Sequence, residues 1–168
     1  MQAINLSDLP PDARIENERS IEERWAETAA KYAEIIEKLL VSAGRKSIDH
    51  LHRMRFTPMD NEIYKIFRTA FPELDVKRVD VASLKSAEAK AKWYMILESW
   101  KASLKDYNTG TLLRIDCAVP LSPENSCIVP RSQFYCIEIA RCREGLNDEF
   151  VQSVIDGKQT TAKLDPDA

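Results

Sequence analysis

Between Ile21 and Ala43 apolar side chains recur at helical spacing: Ile21, Trp25, Ala29, Tyr32, Ile35 or Ile36, Leu39 and Ala43. A period of three to four gives a helix one dry face and one wet face. A stripe running about six turns needs other elements to cover it, so the chain is committed to packing around a long amphipathic helix. Ser20-Ile21-Glu22-Glu23 is a capping-box pattern, which predicts a start at Ser20 with Glu23 reaching back. Gly44 stands where a C-terminal cap would. Residues 1–18 are polar, carry Pro10-Pro11 and show no period, so they read as a flexible arm.

A basic connection follows, Arg45 to Arg55. Thr57-Pro58-Met59-Asp60 predicts a second helix, with a capping threonine, proline at the first helical position and an acid in the first turn. Its stripe is Ile63, Phe67 and either Ala70 or Phe71, and Pro72 ends it. A short helical turn near Ala82 to Lys85 precedes Ser86, the expected cap of a long third helix reaching about Asp106. Trp93, Ile96, Leu97, Trp100 and Leu104 line one side of that helix. Their spacing reads as core more readily than as a binding face.

The pattern changes at Tyr107-Asn108-Thr109-Gly110, which reads as a helix exit and turn. Thr111 to Cys117 alternates well enough for a strand, with Leu112, Arg114 and Asp116 on one face, and Cys127-Ile128-Val129 can return antiparallel. On that register Cys117 and Cys127 can face each other across the hairpin. Ser132 is the expected cap of a fourth helix, Gln133 to Glu144, with Gly145 as its exit. Asn147 or Asp148 starts one more short helix, and 156–168 reads as a polar, frayed tail. The expected fold is mostly helical α+β: four to six helices around a two-stranded antiparallel hairpin, as one domain over 19–155.

Twenty-four basic against 27 acidic residues give a net charge of −3, which argues against general binding to DNA or RNA phosphates. No stretch approaches the ~20 apolar residues needed to span a bilayer. Residues 1–14 do not read as an export signal. The four cysteines are then expected as free thiols in a reduced cytosolic or nuclear compartment. They form no C-x-x-C pair, and His50 and His52 lie far upstream among arginines, so no metal site is expected. The basic patch around the histidines, with Phe56 beside it, reads as a solvated connection or as a surface for an acidic partner. Asp165-Pro166-Asp167 resembles a metal-binding pair of carboxylates but stands in the tail. Neither a nucleophile elbow nor a phosphate loop is present, so no cofactor and no catalytic residue is expected. The candidate site is the stretch from Tyr107 to Asn147. Arg114 and Asp116 share a strand face, while Glu138 and Arg141 are i, i+3 neighbours on the following helix. Those four charges read as an internal network or a partner site.

Asp106-Tyr-Asn-Thr-Gly-Thr-Leu-Leu-Arg-Ile-Asp116 and Pro130-Arg-Ser-Gln-Phe-Tyr-Cys-Ile-Glu-Ile-Ala-Arg-Cys-Arg-Glu-Gly-Leu-Asn147 resemble the signature of the polysaccharide-biosynthesis-domain-containing protein family. Asp60 to Arg68 with Phe71-Pro72, and Ala91-Lys-Trp93, are similar to it too; Thr109 and Cys142 depart from it. The resemblance runs from about Trp25 to about Asn147. It implies helices around a hairpin. It also implies a non-catalytic, monomeric chaperone that holds the GTP-binding domain of newly made translation elongation factor 1-alpha until nucleotide loads. Tyr107, Asn108, Gly110, Arg114, Asp116, Glu138 and Arg141 are the expected partner-binding residues. The alternative is a small methyl or glycosyl transferase linked to polysaccharide biosynthesis, which rests on the family's inherited name. Xylan methyltransferases, distant kin behind that name, use a glycine-rich loop on a Rossmann-like sheet, and this chain has no such loop.

Overall fold

A computed structural model describes residues 11–164, with side chains from residue 22 onward. Among the described residues are seven helices and two strands. They run α1 (Pro11–Lys46), α2 (Ile48–His52), α3 (Asp60–Ala70), α4 (Val81–Leu84), α5 (Ala87–Ser99), β1 (Gly110–Arg114), β2 (Ser126–Pro130), α6 (Arg131–Arg143) and α7 (Asp148–Ile155). The fold is mostly helical α+β, with β1 and β2 antiparallel.

The first helix does not begin at the expected cap: α1 is continuous from Pro11, through Ser20, to Lys46. The part of the expected arm before residue 11 lies outside the described residues. Gly44 is not a C-cap either. It sits inside α1 where Val151 of α7 packs, and an added Cβ would overlap the Val151 Cγ1 methyl. The small residue is there for close approach of two helices. Much of the basic connection is also helical. Ser47 Oγ accepts from His50 N to cap α2, a turn too short for its period to show. Thr57 and Asp60 close the approach to α3: Thr57 Oγ1 accepts from Met59 N, and Asp60 reaches back to accept from Phe56 N, Thr57 N and Thr57 Oγ1. Ile63 and Phe67 are fully buried, as the stripe predicts.

The third predicted helix is shorter than expected, since α5 ends at Ser99 and turns carry the chain onward. Trp93 and Trp100 are core, as expected, yet neither indole Nε1 has a hydrogen-bond partner among the described residues. Ser132 does not cap α6; its Oγ and backbone N both donate to the Tyr107 carbonyl, which ties the turn before β1 to α6.

Helix α6 is the centre of the molecule. Every residue from Ser132 through Cys142 is buried, because α2, α3, α5, β1 and β2 all pack against it. A helix covered all round has no wet face. Its Gln133, Glu138 and Arg141 must therefore be paired internally or pay for desolvation. Beyond β1, the chain continues alongside residues 77–79 through Val79 N to Ile115 O and Cys117 N to Lys77 O.

The expected frayed tail is docked as far as it is described. Ala162 is buried, its N donates to Glu37 Oε2 at 2.6 Å, and Leu164 N donates to Glu34 Oε1 at 2.6 Å. Leu121 N donates to Glu37 Oε1 at 2.6 Å, so one buried glutamate on α1 holds both the hairpin loop and the C-terminal segment. Asp165 and Asp167 lie outside the described residues.

Candidate functional site

Three of the four charges singled out in the sequence meet around Glu138. Arg141, one turn further along α6, donates from Nη1 to Glu138 Oε1 at 2.7 Å. Arg114, at the end of β1, reaches it through Nη2 at 3.3–3.4 Å. Asn147 completes the ring: its Nδ2 donates to Glu138 Oε2 at 3.2 Å and its Oδ1 accepts from Arg114 Nη2 at 2.8 Å. Three other guanidinium nitrogens donate to main-chain carbonyls. Arg114 Nη1 donates to Cys117 O, Arg141 Nε to Val76 O, and Arg141 Nη2 to Arg114 O. The Arg114 guanidinium also lies 4.8 Å from the Phe150 ring centre.

Arg114, Glu138 and Arg141 are 3%, 1% and 0% exposed. Burial pushes the Glu138 carboxyl up, but Arg114 and Arg141 together outweigh it and hold it below the usual carboxylate range. The arrangement is a clamp. It fastens β1, the strand-like segment at Val76, α6 and the start of α7 to one another, with both Glu138 oxygens held by buried donors.

Direct contact with a partner is thus closed to these three side chains. Asp116 is not in the ring at all; its carboxylate accepts from Ala118 N, and its main chain pairs with Asn125. Cys117 and Cys127 do not face each other across the hairpin, because Cys127 pairs with Leu113 while Cys117 Sγ donates to Leu146 O. All four cysteines are free. Burial pushes the Cys142 thiol up to about 12, so it is a poor nucleophile.

The sequence reading missed Asn147 as a member of the ring. It also missed Glu37, whose carboxyl burial pushes up despite two backbone donors and the field of Arg114. An acid placed between Ile36 and Leu40 on the buried side of α1 is the signal that was there to find.

The other expected site residues lie at the surface end of the hairpin. The Tyr107 carbonyl is held by Ser132. Gly110 does not adopt positive φ; an added Cβ would sit 3.0 Å from the Trp25 ring, which packs over it. Asn108 is exposed and borders an open groove of about 390 Å³. Its walls are Leu84, Trp93, Tyr94, Leu97, Ile128 and Pro130, with Lys85 and Lys90 at the rim and Gln133 at its base. Tyr94, Met95 and Ile128 are 67%, 76% and 49% exposed. The helical period predicts the buried side of α5; it gives no reason for Tyr94 and Met95 to be apolar on the other.

Among the described residues no cluster of three His, Cys, Asp or Glu side chains is arranged to hold a metal. His50 Nδ1 lies 2.7 Å from Ser47 Oγ, and His52 Nε2 lies 2.9 Å from both oxygens of Asp148, so the two rings serve separate contacts. No described helix is long and apolar enough to cross a membrane.

The chain is 39% identical to Protein PBDC1 of Mus musculus over 147 residues, covering 88% of this chain and 71% of that protein. It is equally identical to Protein PBDC1 of Homo sapiens over 140 residues, covering 83% of this chain but only 58% of the human protein. A PBDC1 homolog of Saccharomyces cerevisiae is 39% identical, with 81% and 92% covered. A solution NMR structure of a Saccharomyces cerevisiae protein superposes with a TM-score of 0.68 at 38% identity, covering 90% of this chain and 94% of that one. The model of the PBDC1 protein family matches residues 21–152. That span contains the whole clamp, both strands and the apolar groove, and it places the chain in the PBDC1 family.

Proposed function

We propose that this protein is a non-catalytic, monomeric binding module that holds the GTP-binding domain of newly made translation elongation factor 1-alpha through the groove between α5 and β2. The observation that carries the reading is the exposed apolar lining, Tyr94 and Ile128 with Leu97 and Pro130, on a surface where a monomer ordinarily avoids clustering such residues. A nucleotide-free client still exposes apolar surface that such a groove can cover. The lysines at the rim, Lys85 and Lys90, favour a client segment bearing acids next to its apolar anchors. Asn108 forms one lip of the groove, while the clamp fastens β1 and α6 behind it.

Release follows from differential affinity. A client that binds GTP folds away the surface the groove covers, and the complex weakens by the difference in affinity for the two client states. A tenfold difference corresponds to about 1.4 kcal/mol.

The test uses purified parent, Ile128→Asp and Tyr94→Ser proteins to capture elongation factor 1-alpha with and without excess GTP. The parent is expected to retain the nucleotide-free client and lose it with GTP. The groove variants lose it in both conditions while melting like the parent. Equal capture with and without GTP refutes release, and unimpaired capture by both variants refutes the groove.

A further inference from the structure

We propose that a second groove, at the other end of α6, binds a carboxylate-rich protein segment. Helix α6 links the two: Gln133 in its first turn lines the apolar groove and Arg143 in its last lines this one. Ten helical steps separate them, about 15 Å along the helix axis. The second groove has a volume of about 350 Å³ and is lined by His52, Arg53, Arg55, Asp60, Asn61 and Arg143.

Three guanidinium groups thus border one hollow on a chain whose net charge is −3. Asp60 is the one carboxylate among its lining residues, and it is turned inward. It is 3% exposed, and its oxygens accept from Phe56 N, Thr57 N and Thr57 Oγ1. That carboxylate fixes the loop that carries Arg55 and does not neutralise the groove.

Arg143 is held in place from two sides. Its Nη2 donates to Asn61 Oδ1 at 2.7 Å, and its guanidinium lies 5.3 Å from the Tyr64 ring centre. Among the described residues the Arg53 guanidinium meets only Asp49, in an exposed contact, and His52 is occupied by Asp148. Arg55 is exposed and has no hydrogen bond or ion pair among the described residues. A fixed fork beside a free one suits carboxylates arriving on a flexible chain.

The shape selects a protein segment over a phosphate compound. Arg55 also borders an adjoining hollow of about 290 Å³ lined by Phe56, Thr57 and Pro58. A segment crossing both can seat an apolar side chain against Phe56 and Pro58 and set its acids on the arginines. Arginine forks also grip phosphate, but many phosphate sites are completed by convergent free backbone N–H groups. Here the N–H groups of Phe56 and Thr57 are already engaged by Asp60.

The test is fluorescence anisotropy with a labelled Glu-rich peptide carrying one central Leu, against the same peptide with Lys for Glu. The parent is expected to bind the acidic peptide, more weakly as salt rises, and not the basic one. Arg55→Glu is expected to weaken binding by about tenfold or more while melting like the parent, and Arg143→Gln to weaken it less. Three results overturn the proposal: no binding of the acidic peptide or equal binding of both peptides, parent-like binding by Arg55→Glu, or binding of labelled ATP that Arg55→Glu abolishes and the acidic peptide does not displace. The probe contains no elongation factor, so its outcome stands apart from client capture by the apolar groove.

Discussion

Replacing Glu138 with Gln removes one charge from the centre of the molecule and leaves its shape nearly unchanged. In the parent, Glu138 is 1% exposed and faces two guanidinium groups that are themselves buried. Without the carboxylate, Arg114 and Arg141 become neighbouring cations with no counter-charge in the ring. Gln keeps one acceptor, but its amide adds two donors among groups that are already donating. Breaking a buried pair by removing one partner costs about 3–5 kcal/mol. At about 2–4 °C per kcal/mol for a chain of this size, the melting temperature should fall by roughly 6–20 °C.

The pH dependence supplies a second signature. The folded Glu138 carboxyl titrates below its ordinary value of 4.5. Its stabilisation is therefore complete above that unfolded value and is lost as pH falls through the folded one. Glu37 runs the other way, because its folded pKa is raised. The folded state holds that proton more tightly than the unfolded chain, so its contribution falls as pH rises through the window from the unfolded to the folded value. Glu138→Gln should flatten the loss of stability below about pH 4.5 and leave the Glu37 slope above it. Urea unfolding across pH, read by tryptophan fluorescence and circular dichroism, measures both. A loss under about 1 kcal/mol, or an acid limb as steep as the parent's, would refute the clamp as a charge-stabilised device.

Ending the chain after Lys158 removes the Ala162 N–H donor from Glu37 and exposes Ala33 and Leu121, which pack with Ala162. It should cost about 1–3 kcal/mol in urea unfolding, and an unchanged midpoint would mean the docked segment contributes nothing. Gly44→Leu should overpack the α1–α7 contact at Val151 and destabilise by about 1–3 kcal/mol despite the better helix propensity of Leu. A raised melting temperature would show that α7 gives way freely.

Local periodicity was enough for α3 and α5 but not for α1, where Trp25 and Leu39 of the predicted stripe are exposed and Ala33 and Leu40 are buried instead. Ile63 and Phe67 on α3, Trp93 and Ile96 on α5, and Trp100 at the C-terminal cap of α5 are where the spacing puts them. The hairpin was legible because prolines and an asparagine interrupt two β-prone runs. The i, i+3 placement of Glu138 and Arg141 is likewise a property of the sequence, and so is their pairing.

What they pair with beyond each other depended on the packing. Asn147 replaced Asp116 in the ring because α7 starts beneath the end of β1, whereas the main chain of Asp116 turns out to meet Asn125. Glu37 and Gly44 look like an ordinary charge and an ordinary cap until the hairpin loop, the C-terminal segment and α7 arrive from far along the chain. Sequence patterns record the preference of each segment for being wet or dry. Which buried donor meets which acceptor, and which apolar face is left uncovered between α5 and β2, is set only when segments distant in sequence close on one another.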